Sequence, residues 1–212
     1  MTRNLVISDG VVAGNVFDKY GSRNPLVRRL MAGFDRGLFE LLGKVREVAS
    51  VYEVGCGEGH VTARLKERFP DARVIGSDLS AAILEVARRE HPELEFEQCS
   101  AYDIGVSGRR WDVVVACEVL EHLDEPERAL EAMAEVANHA IVVTVPREPL
   151  WRLLNLARGQ HLRRLGNTWG HVNHWSTRAF LGMLRRQVEV VDWRTPLPWT
   201  QALCRPRSSK AA

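Results

Sequence analysis

Between residues 51 and 145 the chain repeats one pattern. Short Val/Ile-rich runs alternate with stretches of helical period. "VYEVG" (51–55), "RVIGSD" (73–78), "LEFEQC" (94–99), "WDVVVAC" (111–117) and "HAIVVTVP" (139–146) read as five strands. "HVTARLKERF" (60–69), "SAAILEVARRE" (80–90) and "PERALEAMAEVAN" (126–138) read as the helices between them, with Ser80 placed to cap the second. Uninterrupted apolar strands separated by helices predict a parallel sheet buried on both faces, and so an α/β fold with right-handed crossovers.

The flanks are less regular. Residues 24–48 predict one or two helices, with apolar residues at Leu26, Leu30, Phe34, Leu38 and Leu41. "STRAFLGMLRRQ" (176–187) predicts a helix capped by Ser176. "VEVVDWR" (188–194) and "TQALCRP" (200–206) predict two closing strands. With 212 residues, 45% of them apolar, one domain is expected. Within it, 1–48 would be a helical cap, 49–145 a ligand-binding core, 146–175 an insertion and 176–206 the closing elements. No run reaches the roughly 18 apolar residues of a membrane span. The first 20 residues lack a signal-peptide core, so a cytoplasmic protein is expected. Cys56, Cys99, Cys117 and Cys204 form no C-x-x-C pair, which argues against a zinc knuckle or redox dithiol.

The first βα turn reads "EVGCGEGH" (53–60). Gly55, Gly57 and Gly59 allow a sharp turn and close approach of a ligand to the backbone at a helix start. Asp78 ends the next strand, 19 residues beyond Gly59, where an acid can accept hydrogen bonds from both hydroxyls of a ribose. The third glycine comes one position early for a dinucleotide fingerprint. Glu53, ahead of the glycines, would repel a phosphate but suits a cationic ligand.

Glu53-Val54-Gly55-Cys56-Gly57-Glu58-Gly59 thus resembles the E/D-x-G-x-G-x-G motif of the class I S-adenosylmethionine-dependent methyltransferases. The resemblance covers roughly 51–145. It implies a Rossmann-like, doubly wound, mostly parallel seven-stranded sheet, with S-adenosyl-L-methionine held by Glu53, Gly55, Cys56, Gly57 and Gly59. Asp78 would hold the ribose and Leu79 would pack on the adenine. Ser100-Ala101 stand where the family often has Asp-Ala, and Asp103 is an alternative acceptor for the adenine amine. Cys117 and Glu118 would border the methionine moiety.

After the fourth strand comes "CEVLEHL" (117–123). If Glu118 opens a helix, Glu118, Glu121 and His122 share one face at the carboxyl end of the sheet, where open α/β sheets bind ligands. Three readings stay open. His122 can be a general base oriented by Glu121 or Glu118. The trio can hold a divalent metal such as magnesium or zinc. Or the string is scaffold, with acids favouring a helix start. E-x-x-E-H resembles two metal-dependent branches of the family: the ubiquinone-biosynthesis O-methyltransferases, which act on catechols, and the small-RNA 2′-O-methyltransferases, which add a downstream histidine. Here "GHVNHW" offers His171 and His174, with Asn173 and Trp175 as further pocket-wall candidates. His174 joins Glu121 and His122 as a candidate catalytic residue. His171 joins Glu118, Glu121 and His122 as a candidate metal ligand.

Charge is uneven along the chain. Residues 1–50 carry 8 basic and 5 acidic groups, 51–150 carry 10 and 20, and 151–212 carry 11 and 2. The acidic middle fits a cofactor bearing a sulfonium and an ammonium. The basic insertion (146–170) joins Leu150, Trp151, Leu153, Leu154, Leu156 and Ala157 to Arg147, Arg152, Arg158, Arg163 and Arg164. It predicts a lid or substrate wall, a peripheral membrane contact through 147–165, or a dimer contact, the chain being a monomer or homodimer. Tyr20, Arg23 and Asn24 are candidate contacts on the other wall. No RNA-binding module is visible, so nucleic acid is not an expected partner. The expected activity is methyl transfer from S-adenosylmethionine to a small-molecule hydroxyl. An RNA 2′-O-methyltransferase and a non-catalytic cofactor-binding regulator are the alternatives.

Overall fold

The computed structural model describes residues 6–8, 11–13, 21–157, 168, and 170–207. A short antiparallel pair, β1 (Val6–Ser8) and β2 (Val11–Ala13), precedes α1 (Pro25–Leu42). The main sheet has seven strands: β3 (Ser50–Val54), β4 (Arg73–Asp78), β5 (Glu95–Gln98), β6 (Trp111–Cys117), β7 (Ala137–Pro146), β8 (Val188–Arg194) and β9 (Trp199–Pro206). Their spatial order is β5-β4-β3-β6-β7-β9-β8, and β9 runs antiparallel to both neighbours. The helices between strands are α2 (His60–Arg68), α3 (Ala81–Glu90), α4 (Pro126–Val136), α5 (Leu150–Ala157) and α6 (Thr177–Gln187).

The uninterrupted apolar runs are explained by cover on both faces. Along β6, Val113 and Val115 pack with Phe34, Leu38 and Leu41 of α1 and Leu65 of α2. The alternate residues, Val114 and Ala116, pack with Leu130 and Met133 of α4 and Phe180 and Leu184 of α6. All four strand residues are fully buried. The chain builds outward from β3 through β4 to β5, then returns to lay β6 on the other side of β3. The order reverses between β3 and β6, and the carboxyl ends of strands at such a point are where open α/β sheets bind ligands.

Ser80 and Ser176 cap α3 and α6, accepting from the amides of Ile83 and Ala179. Two differences from expectation exceed one residue. α4 stops at Val136, and Ala137 and Asn138 join β7. The Arg110 guanidinium donates to the carbonyls of Glu135 and Ala137 and to Asn138 Oδ1, which ends the helix there. Residues 24–48 hold one helix, α1, which stops at Leu42, and its buried stripe is Met31, Phe34, Leu38, Leu41 and Leu42. Leu26 stays exposed.

Asn24 is the N-cap of α1, its side chain accepting from the Leu26 amide, and Arg23 is exposed. Tyr20, Arg158, Arg163 and Arg164 lie outside the described residues, as do the first five residues and the tail from 208. Among the described residues no helix is long and apolar enough to cross a membrane.

Candidate functional site

The glycine loop follows β3 directly. Gly55, Gly57 and Gly59 have φ of 69°, 55° and 84°. These left-handed values disfavour any side chain. Space adds a second constraint. A Cβ on Gly55 would lie 2.5 Å from Val119 Cγ2, and one on Gly59 2.7 Å from Phe96 Cζ. Gly55→Ala is therefore expected to cost about 1–3 kcal/mol of stability through strain and overlap. Thermal unfolding checks this, and an unchanged Tm would refute it.

Asp78 closes the loop from β4. One carboxylate oxygen accepts from the Gly57 amide at 3.0 Å, the other from the Ser80 amide at 3.0 Å. Burial raises its pKa, and the amides oppose that rise. Each oxygen keeps acceptor capacity for a further donor. Leu79 is half-buried, and its carbonyl accepts from Gln98 Nε2. Ser100 and Ala101 sit in the turn after β5. Ser100 Oγ accepts from the Tyr102 amide, and Asp103 is exposed.

Glu53 lies beneath this loop, 1% exposed, accepting a hydrogen bond from Thr62 Oγ1. Burial pushes its pKa up to about 8, with the nearby Asp78 adding to the rise. Between the ordinary 4.5 and about 8 the folded chain keeps a proton that the unfolded chain has released. This group's contribution therefore falls as pH rises through that window, by up to ~1.4 kcal/mol per pH unit. Glu53→Gln removes the titration while keeping an acceptor for Thr62. Its stability relative to the parent is expected to grow from pH 5 to pH 8; parallel unfolding curves across that range would count against it. Burial also raises the thiol pKa values of Cys56 and Cys117, which keeps both protonated and poor nucleophiles.

At the end of β6 the structure corrects the expected helix. Glu118 has φ of 62°, and its amide still donates to Thr144 O in the ladder. Only a single 3-10 turn, Leu120–His122, follows. Glu118 therefore does not share a helical face with Glu121 and His122.

The partners of the turn come from residues 170–173. The amides of Val172 and Asn173 both donate to Glu121 O, at 2.9 and 3.0 Å. The Asn173 side-chain amide donates to the carbonyls of Leu120 and Leu123. His122 Nδ1 lies 2.9 Å from Gly170 O. A carbonyl only accepts, so Nδ1 carries the hydrogen, and the lone pair of the neutral ring sits on Nε2.

These contacts bring Glu121, His122 and His171 together, each offering a donor atom within 4.8 Å of the others. Glu121 is 1% exposed, and the rings of His122 and His171 meet edge-on at 4.9 Å. Trp151 of α5 stacks on His171 at 6.1 Å and faces Trp199 at 6.0 Å. His174 Nδ1 lies 3.7 Å from Glu148 Oε1. Glu148 is nearly buried, with its pKa raised by burial against the opposing effect of His174. Trp175 turns away to pack on Phe180.

Glu148 and Trp199 were not singled out in the sequence. Glu148 lies in a Pro-flanked stretch, and its partner histidine is 26 residues on. The arrangement can accept a proton at either of two histidines. It can also present two imidazoles and a carboxylate to a cation.

A family profile described as "Methyltransferase domain" matches residues 51–140, from β3 into β7. The chain is 33% identical over 146 residues to a trans-aconitate 2-methyltransferase of Azoarcus sp., covering 61% of this chain and 54% of that one. It is 32% identical over 123 residues to a ubiquinone biosynthesis O-methyltransferase of Alkalilimnicola ehrlichii, covering 54% and 49%. The chain thus spans about half the length of these curated relatives. The fold is that of magnesium protoporphyrin IX methyltransferase from Synechocystis, solved with bound SAH, at a TM-score of 0.63 and 16% identity over 87% of this chain and 89% of that one.

Proposed function

We propose that the chain, whose residues 51–140 match a methyltransferase-domain profile, is a class I S-adenosylmethionine-dependent methyltransferase that moves the methyl group of its cofactor onto a hydroxyl of a small-molecule acceptor. The observation that carries the acceptor reading is the junction of Glu121, His122 and His171 at the end of β6, the strand beside the glycine loop. The relatives' names, one on trans-aconitate and one on O-methylation in ubiquinone biosynthesis, support a small acceptor.

In this reading the loop from Gly55 to Gly59 takes the cofactor's backbone-facing side, Asp78 accepts from the ribose hydroxyls, and Leu79, Ser100 and Ala101 line the adenine. Cys56, Cys117 and Glu118 border the methionine part. The buried Glu53 meets a ligand whose positive charge favours its ionised form. Methyl transfer is an in-line displacement, so alignment of acceptor and donor supplies much of the rate. Trp151, half-buried and stacked on His171, offers flat apolar surface for holding the acceptor.

The donor set fits a divalent cation. Two imidazoles and one carboxylate converge, and Gly170 O orients His122 as metal-bound histidines require. Glu121, His122 and His171 would hold the ion, with Glu118 outside that tight group. Bound there, a cation would lower the pKa of an acceptor hydroxyl. His174, whose Nδ1 lies 3.7 Å from Glu148 Oε1, is the second candidate to receive the proton. The same contact also serves a reading without metal: with Nδ1 committed to Gly170 O, Nε2 of His122 can itself take the proton.

The test is transfer of labelled methyl from S-adenosylmethionine to a panel of catechols, phenols and hydroxy acids, with and without chelator. Labelled methyl ether is the expected product. Transfer only to carboxylate, nitrogen or sulfur would overturn the acceptor. Tight cofactor binding with no transfer to any acceptor class would favour a regulator.

A further inference from the structure

We propose a second divalent-cation site, of the zinc class, formed by His60, Glu90 and His91 where the start of α2 meets the end of α3. It stands apart from the Glu121 cluster and does not depend on that cluster's reading. His60 is the first residue of α2, Glu90 the last of α3, and His91 caps α3 with its amide on Ala87 O at 2.8 Å. His60 Nε2 lies 3.9 Å from Glu90 Oε2. The two imidazoles meet edge-on, 5.9 Å between centroids. Each of the three residues offers a donor atom within 4.8 Å of the others.

The independent sign is His91. Its Nε2 is buried and has no hydrogen-bond partner among the described residues. A buried ring nitrogen left so calls for a ligand, a water or an ion. Two imidazoles and one carboxylate suit zinc and its neighbours in the first transition row rather than calcium or magnesium. Glu90 is exposed, so the site opens to solvent and leaves a coordination position for water. The carboxyl end of α3 and the full charge of Glu90 favour a cation, against the half-charge at the start of α2.

The place gives the site a consequence. His60 follows Gly59 directly, and a Cβ on Gly59 would lie 3.1 Å from His91 Cδ2. A cation joining His60 to His91 would therefore tie the third glycine of the loop to α3. Zinc would stiffen the cofactor loop without entering the acceptor pocket.

Equilibrium dialysis of the full chain against zinc at pH 7.5 tests the assignment. His91→Ala is expected to lose one equivalent of bound zinc, and Glu90→Gln to bind that equivalent at least tenfold more weakly. His171→Ala should keep it. Glu90 is exposed, so Glu90→Gln remains informative if His91→Ala fails to fold. Parent-like zinc stoichiometry and affinity in Glu90→Gln and in any folded His91→Ala would overturn the site. Amide exchange over residues 55–62 should slow on adding zinc to the parent but not to Glu90→Gln. Equal exchange in both would overturn the coupling to the loop.

Discussion

Asp78→Asn is expected to weaken S-adenosylhomocysteine binding by about 10²- to 10³-fold, because two charge-assisted hydrogen bonds worth roughly 1.5–3 kcal/mol each are at stake. In the proposed reading Asp78 has two jobs. Its oxygens hold the amides of Gly57 and Ser80, and their remaining lone pairs are the acceptors assigned to the ribose hydroxyls. Asparagine has one accepting atom and one donating group. Whichever way the amide turns, a donor faces Gly57 N–H or Ser80 N–H, and the loop loses its latch as well as an acceptor. Ser80→Ala is the control. It removes the cap of α3 at a cost of about 1 kcal/mol but leaves both Asp78 contacts to backbone amides in place. Its affinity should stay within a few-fold of the parent. Calorimetric titration of both variants decides the matter. An Asp78→Asn affinity within threefold of the parent would remove Asp78 from the cofactor site.

The parts of this protein readable in advance share one physical property: their local pattern and their tertiary environment agree. β4 and β6 match their sequence runs residue for residue because helices cover both faces of the sheet and no alternation blurs the apolar signal. The glycines of the loop were legible because left-handed φ values and close neighbours together favour glycine there. "EVLEH" was legible as chemistry but not as geometry. Its i, i+3, i+4 spacing imitates a helix face. Glu118 instead turns left-handed while its amide remains bonded to β7, and Val119 lodges against Gly55. Both are tertiary contacts with no local mark. The same holds for the histidines. Both were visible as potential donors, but Asn173, clamping the carbonyls of Leu120 and Leu123, anchors the segment that places His171 on the cluster. Glu148 had no periodicity to reveal it, and its role appears only when β7 delivers it beside His174.

Removal of the His122 ring should produce the largest kinetic loss, on the order of 10²- to 10⁴-fold in kcat, the range that positioned proton transfer supplies. The comparison that separates its roles uses three variants. If the cluster holds a cation, Glu121→Gln, His122→Ala and His171→Ala lose activity to similar extents, because three donors form one site and act as a unit. Chelator then slows the parent and has little left to remove in the variants. If His122 is the base without metal, His122→Ala falls alone, His171→Ala retains most of its rate, and chelator leaves the parent unchanged. The pH profile adds an independent sign. A neutral imidazole is required in either case, so the parent kcat should rise through the range in which histidine deprotonates. His174→Ala tests whether that limb belongs to the Glu148–His174 pair. If it flattens the limb while keeping measurable turnover, His174 carries the proton. Parent-like kcat in both His122→Ala and His174→Ala would leave neither histidine with a role in the transfer.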